Sequence, residues 1–228
     1  MPGLPFDVIV FDLDGTLADT AADLAVALNH VLVRLGRPEV PAEDLRHLVG
    51  HGARALLRRG LAASGDAPEE LVEAGFPLFI EHYAANICHG TRPYPGVESA
   101  LDALRESGAK LAVCTNKAER LTHLLLDALG WHDRFDAVVG GDTLAVRKPD
   151  TAPLIEAVAR AGGGRAAFVG DSITDADTAR AARLPFVAVS FGFSDRPVEA
   201  LGADAAIDRY DDLRFALDRL AAGQAALR

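Results

Sequence analysis

Two carboxylates two residues apart, Asp12 and Asp14, carry the strongest chemical signal in this chain. They follow the apolar run Phe6 to Phe11, broken only by Asp7, and Gly15 comes next. A short run of valine, isoleucine and phenylalanine predicts a buried strand. Pleating points residues i and i+2 to the same side, so Asp12 and Asp14 face one site if the chain is still extended there. Enclosed carboxylates repel and lose hydration, which a cation relieves. Further along, Thr115-Asn116-Lys117, Lys148 and Gly170-Asp171-Ser172, with Asp175 four residues beyond Asp171, gather the polar types such a site needs. The chain has only three lysines, Lys110, Lys117 and Lys148, and two of them fall in these segments.

Together these types suit phosphoryl transfer. A hard divalent ion such as Mg²⁺ takes oxygen ligands, here Asp12, Asp171 and a backbone carbonyl near Asp14. One carboxylate can attack phosphorus, and a second carboxyl can protonate the leaving alkoxide and then take a proton from water. A lysine neutralises the repulsion between an anionic nucleophile and a phosphate. A hydroxyl and backbone N–H groups hold the phosphoryl oxygens.

Thr20 to Leu35 has Leu24, Leu28, Val31, Leu32 and Leu35 at helical spacing, ended by Gly36 and Pro38. Pro41 to Val49 and Ala53 to Ala63 predict two more helices, divided by Gly50-His51-Gly52. Pro68 to Cys88 predicts one or two helices, with Pro77 as the possible break, and Thr91 to Gly96 resembles a linker. After Gly96 the pattern alternates: helix Val97–Ser107, strand Ala109–Cys114, helix Lys117–Leu129, strand Ala137–Val139, helix Asp150–Ala161. Strand Ala166–Val169, helix Asp175–Ala182, strand Phe186–Val189, a short edge strand Ala203–Ile207 and a last helix Asp211–Ala222 follow. Short apolar strands alternating with helices predict an α/β fold, a Rossmann-like parallel sheet covered by helices on both faces. Residues 1–18 and 91–228 form that core, and 19–90 form an inserted all-helical cap domain. The polar segments fall at the carboxyl ends of the strands, where open α/β sheets bind ligands.

Composition narrows the function class. The chain has 228 residues, half of them hydrophobic, and a formal charge of −10. That balance offers no basic surface for nucleic acid or an anionic membrane. No apolar run approaches the roughly 18 residues of a membrane span, and no leader pattern opens the chain. Cys88 and Cys114 lie far apart with no metal-type spacing, so a reducing cytoplasm is expected. A monomer or homodimer is expected.

On these residues the chain resembles the haloacid dehalogenase-like hydrolase superfamily, and within it the phosphoglycolate phosphatase branch. The resemblance covers essentially the whole chain in order. Asp12-Leu13-Asp14-Gly15-Thr16 is similar to the first family motif, which implies Asp12 as nucleophile and Asp14 as acid/base. Thr115 resembles the phosphate-binding hydroxyl of the second motif, with Asn116 and Lys117 beside it at the substrate. Lys148 in Arg-Lys-Pro resembles the charge-neutralising lysine, and Gly170-Asp171-Ser172 with Asp175 the acidic metal site. The implied metal set is Asp12, Asp14, Asp171 and Asp175, holding Mg²⁺. In the cap, Leu48-Val49-Gly50-His51-Gly52-Ala53 resembles the branch's glycine loop, so Gly50, His51 and Arg54 are expected to meet the substrate. Ser190 to Asp195 departs from the tyrosine- and glycine-rich loop of many relatives.

The resemblance implies hydrolysis of a small phosphomonoester through an aspartyl-phosphate, 2-phosphoglycolate first, with a sugar phosphate, nucleotide or pyrophosphate as the alternative. A phosphonate-cleaving relative would need a cap lysine, and residues 16–95 contain none. Mutases of the family carry a histidine ten residues after the second aspartate, where this chain has Leu24. A dehalogenase would lack Asp14. A phosphate-storing receiver is much shorter and has no helical insert after its first strand.

Overall fold

The computed structural model describes residues 4–41, 52–194 and 196–226. The first strand, β1 (Val8–Phe11), is fully buried. Its alternate residues serve different faces. Ile9 and Phe11 join an apolar cluster with Leu111, Val113 and Val169, whereas Val8 and Val10 join another with Ala112, Cys114 and Phe168. A strand flanked on both sides must be apolar at every position, which is why this run lacks the alternation of a half-exposed strand.

After β1 the chain makes a short strand β2 (Ala18–Asp19) and then helix α1 (Ala21–Arg34). Helices α2 (Ala53–Ala63) and α3 (Glu69–Ala85) pack with α1 around Leu28, Leu32, Leu57 and Phe79. One helix, not two, runs through Pro77. Apart from Pro41, the helix expected over 41–49 lies outside the described residues. The linker expected at 91–96 contains strand β3 (Arg92–Pro93), paired antiparallel with β2. Asp23 on α1 reinforces this crossing. Its carboxylate accepts from Gly90 N (2.7 Å), Thr91 N (2.8 Å) and Thr91 Oγ1 (2.7 Å).

The alternating region gives α4 (Val97–Glu106), β4 (Lys110–Cys114), α5 (Glu119–Ala128), β5 (Ala137–Val139) and α6 (Ala152–Arg160). It continues with β6 (Ala166–Gly170), α7 (Ile173–Ala182), β7 (Phe186–Val189), β8 (Ala205–Ile207) and α8 (Leu213–Ala226). The main sheet has the order β5-β4-β1-β6-β7-β8, with every pairing parallel. Helices α4, α5 and α8 cover one face, and α6 and α7 the other. Both neighbours of β1 enter from distant parts of the sequence, which creates the crevice where ligands sit in such sheets.

Helix starts differ from the sequence expectation where a side chain takes the first N–H groups. Asp142 Oδ1 accepts from Glu119 N (2.7 Å), so α5 begins there and not at Lys117. At α7, Ser172 and Asp175 form a reciprocal capping box, moving the start ahead of Asp175 to Ile173.

Candidate active site

Strand register builds the site. Phe11 pairs with Val113 on one side and Val169 on the other. Asp12, Thr115 and Asp171 therefore emerge at the same edge of the sheet. Beyond Asp12 the chain is not extended. Leu17 N donates to Leu13 O (2.9 Å), and Gly15 N donates to Ala18 O (3.0 Å). Gly15 takes φ +84°, and a Cβ there would stand 2.4 Å from Asp171 Oδ2. Only glycine allows both the turn and this approach.

Because the chain turns, Asp12 and Asp14 line one cavity but belong to different charge systems. In the first system, oxygens of Asp12, Asp171 and Asp175 lie within 4.8 Å of one another, all buried. Lys148 Nζ donates to Asp175 Oδ1 (2.6 Å) and lies 3.0 Å from Asp12 Oδ1. The latter contact is ionic, and that oxygen accepts no hydrogen bond among the described residues. Asp175 Oδ2 accepts from Ser172 Oγ (2.6 Å) and Ser172 N (3.1 Å). Asp171 accepts from Thr16 Oγ1 (2.9 Å) and Phe193 N (2.7 Å).

In the second system, Lys117 Nζ sits 2.9 and 3.1 Å from the two oxygens of Asp14 and donates to Tyr83 Oη (2.7 Å). Tyr83 belongs to α3, so a buried polar contact joins the inserted helices to the sheet edge. Asp14 lies outside the three-acid group, and Lys117 holds its carboxylate.

Electrostatics distinguish the two systems. Three acids against one lysine leave two negative charges when all are ionised. Burial pushes Asp12 up from 3.8 to about 6; Lys148 opposes the rise, and Asp175 and Asp14 add to it. Burial, then Asp175 and Asp12, raise Asp171 well above its ordinary value. Burial alone would lower Lys148, but Asp12 and Asp175 outweigh it and keep the ammonium charged. An all-oxygen set with excess negative charge fits a hard divalent cation.

The cavity over the site has a volume of about 190 Å³. Asp12, Asp14, Thr115, Asn116 and Lys117 form its floor, and Arg54, Phe76, Phe79 and Tyr83 form its roof. Thr115 is buried, with Oγ1 accepting from Lys117 N (3.2 Å), and Asn116 Nδ2 donates to Lys148 O (3.2 Å). Arg54 reaches the cavity but pairs with Glu73 and lies over the Phe76 ring at 3.9 Å. Gly50 and His51 lie outside the described residues. Asp19 sits in β2 and caps Ala21 N (3.2 Å), away from the cavity lining.

Sequence reasoning missed Tyr83, Thr16 and Arg147. Tyr83 recurs with Val72 and Phe79 on the buried face of α3, a pattern identical to ordinary core packing. Thr16 lies inside the Asp-Gly motif and Arg147 directly precedes Lys148, so adjacency was the one available signal.

A family model described as haloacid dehalogenase-like hydrolase matches residues 9–189. The phosphoglycolate phosphatase of Caulobacter vibrioides is 48% identical over 209 residues, covering 90% of this chain and 88% of the relative. That of Agrobacterium fabrum is 45% identical over 211 residues, covering 91% of each. A crystal structure described as a predicted phosphoglycolate phosphatase from Haemophilus somnus superposes with a TM-score of 0.86 at 30% identity, covering 92% of this chain and 96% of that one. The chain belongs to the haloacid dehalogenase-like hydrolases, and its relatives indicate a phosphoric monoester hydrolase.

Proposed function

We propose that this enzyme is a Mg²⁺-dependent phosphatase that converts 2-phosphoglycolate to glycolate and phosphate. The carrying observation is the buried Asp12, which lies against Lys148 within the three-acid group at the end of the central strand. The naming of relatives at 45–48% identity as phosphoglycolate phosphatases supports the substrate.

Asp12 is the nucleophile. Its carboxylate oxygen forms a bond to phosphorus as the phosphorus–oxygen bond to glycolate breaks, leaving an aspartyl-phosphate. Asp14, oriented by two contacts from Lys117, gives its proton to the departing alkoxide. Asp14 then takes a proton from water as that water attacks phosphorus, which releases phosphate and restores Asp12. Thr115 and Asn116 at the cavity floor hold phosphoryl oxygens. Lys148 keeps Asp12 and the phosphate from repelling each other.

Asp12 and Asp171 would hold Mg²⁺, which when bound supplies positive charge against the phosphoryl oxygens. The sequence expectation also put Asp14 and Asp175 among the ligands. The contacts favour other duties: Asp14 is taken by Lys117, and Asp175 by Lys148 and Ser172. The inserted helices roof the cavity, exclude bulk water and read the leaving group. No helix among the described residues is long and apolar enough to cross a membrane, and Cys88 and Cys114 are unpaired thiols, which suits work in the cytoplasm.

A phosphate-release screen tests this reading. Phosphoglycolate should give the highest kcat/KM among sugar phosphates, nucleotides and pyrophosphate, and chelation should abolish turnover. A sugar phosphate or nucleotide ranking first overturns the substrate assignment.

A further inference from the structure

The proposed substrate carries a second anionic group beyond its phosphate, and the machinery above leaves that carboxylate without a partner. Among the described residues, three basic side chains line the cavity: Arg54, Lys117 and Arg147. Lys117 is committed to Asp14 and Tyr83. Arg54 is committed to Glu73 and the Phe76 ring. Among the described residues, no hydrogen bond or ion pair ties the Arg147 guanidinium to another side chain. Asp142, which also lines the cavity, accepts from Glu119 N (2.7 Å).

The backbone places Arg147 firmly. Asp150 N donates to Arg147 O (2.9 Å), and Asn116 Nδ2 donates to the carbonyl of the next residue, Lys148 (3.2 Å). The side chain reaches the seam with the roof, where Nη1 would lie 3.8 Å from a Cβ at Gly52. A guanidinium anchored one residue from Lys148, lining the cavity and with no acid partner among the described residues, is suited to grip a planar carboxylate through two parallel N–H groups.

We propose that Arg147 is a specificity-determining residue: it binds the carboxylate of a small phosphorylated acid and sets the preference for acidic over neutral leaving groups. This rests on the phosphatase reading above. It moves the selector from His51 and Arg54, expected from sequence, to the loop that also supplies Lys148.

The test compares full-length Arg147→Gln and Arg147→Lys with the parent enzyme in Mg²⁺, using phosphoglycolate, ethyl phosphate and p-nitrophenyl phosphate. Losing a charged contact predicts a roughly 10- to 100-fold rise in KM for phosphoglycolate in Arg147→Gln. The neutral esters and the thermal midpoint should stay as in the parent, and Arg147→Lys should recover part of the loss. Equal losses on acidic and neutral esters, or no loss on either, overturn the assignment. A parent enzyme that prefers phosphoglycolate alongside an unaffected Arg147→Gln defeats Arg147 alone. A parent enzyme with no preference for phosphoglycolate over ethyl phosphate defeats the substrate reading and Arg147 together.

Discussion

Asp12→Asn should separate stability from activity in opposite directions. In the metal-free chain, burial lifts the Asp12 carboxyl from 3.8 to about 6, against the pull of Lys148. A folded-state value above the unfolded one means that the native chain binds the proton more tightly. Native stability is therefore lowered as Asp12 ionises. The gap between 3.8 and about 6 corresponds to about 3 kcal/mol, from about 1.4 kcal/mol per pKa unit. The penalty is absent below about pH 4, develops as pH rises towards 6 and is complete by about pH 7. Asparagine keeps the shape and has no charge to desolvate. Lys148 remains paired through Asp175 at 2.6 Å. In urea with chelator at about pH 7.5, Asp12→Asn should thus exceed the parent by roughly 1–3 kcal/mol, and the difference should close as pH falls to about 4. Saturating Mg²⁺ should shrink or reverse the ranking, because the parent alone offers the second carboxylate oxygen. Phosphate release should be abolished in either case. An asparagine variant less stable than the parent without metal, or a difference that ignores pH, would refute the account of Asp12 as an electrostatically costly group retained for chemistry.

Lys148→Met removes the ammonium that touches both Asp12 and Asp175. Leaving those buried acids unpaired should cost about 3–5 kcal/mol in denaturant at neutral pH, less in acid, with activity near background. A near-normal rate would remove Lys148 from the mechanism. Tyr83→Phe deletes the 2.7 Å contact that Lys117 makes with the inserted helices. It should lower kcat about tenfold and stability by about 1–3 kcal/mol, with KM for phosphoglycolate little changed. Unaltered turnover would show that Asp14 is oriented without help from α3.

The parallel sheet was legible because buried strands need uninterrupted apolar runs. Ala137–Val139 and Phe186–Val189 matched residue for residue, and α2 matched at both ends. Boundaries failed where side chains intervened, as at Glu119 under Asp142 and at Ile173 under the Ser172–Asp175 box. The pairing of β2 with β3 was invisible, since two-residue strands carry no periodic signal and their register depends on a partner more than 70 residues away.

By its own order of residues, the chain determined which groups would meet: apolar runs end at Asp12, Thr115 and Asp171, and parallel strands must deliver their carboxyl ends to one edge. Tertiary structure alone decided how those groups divide the charge. The turn after Asp12 sends Asp14 to Lys117 and Tyr83, while Lys148 settles between Asp12 and Asp175. Pairing of this kind depends on distances of about 3 Å between residues remote in sequence, and no spacing along a chain encodes those distances.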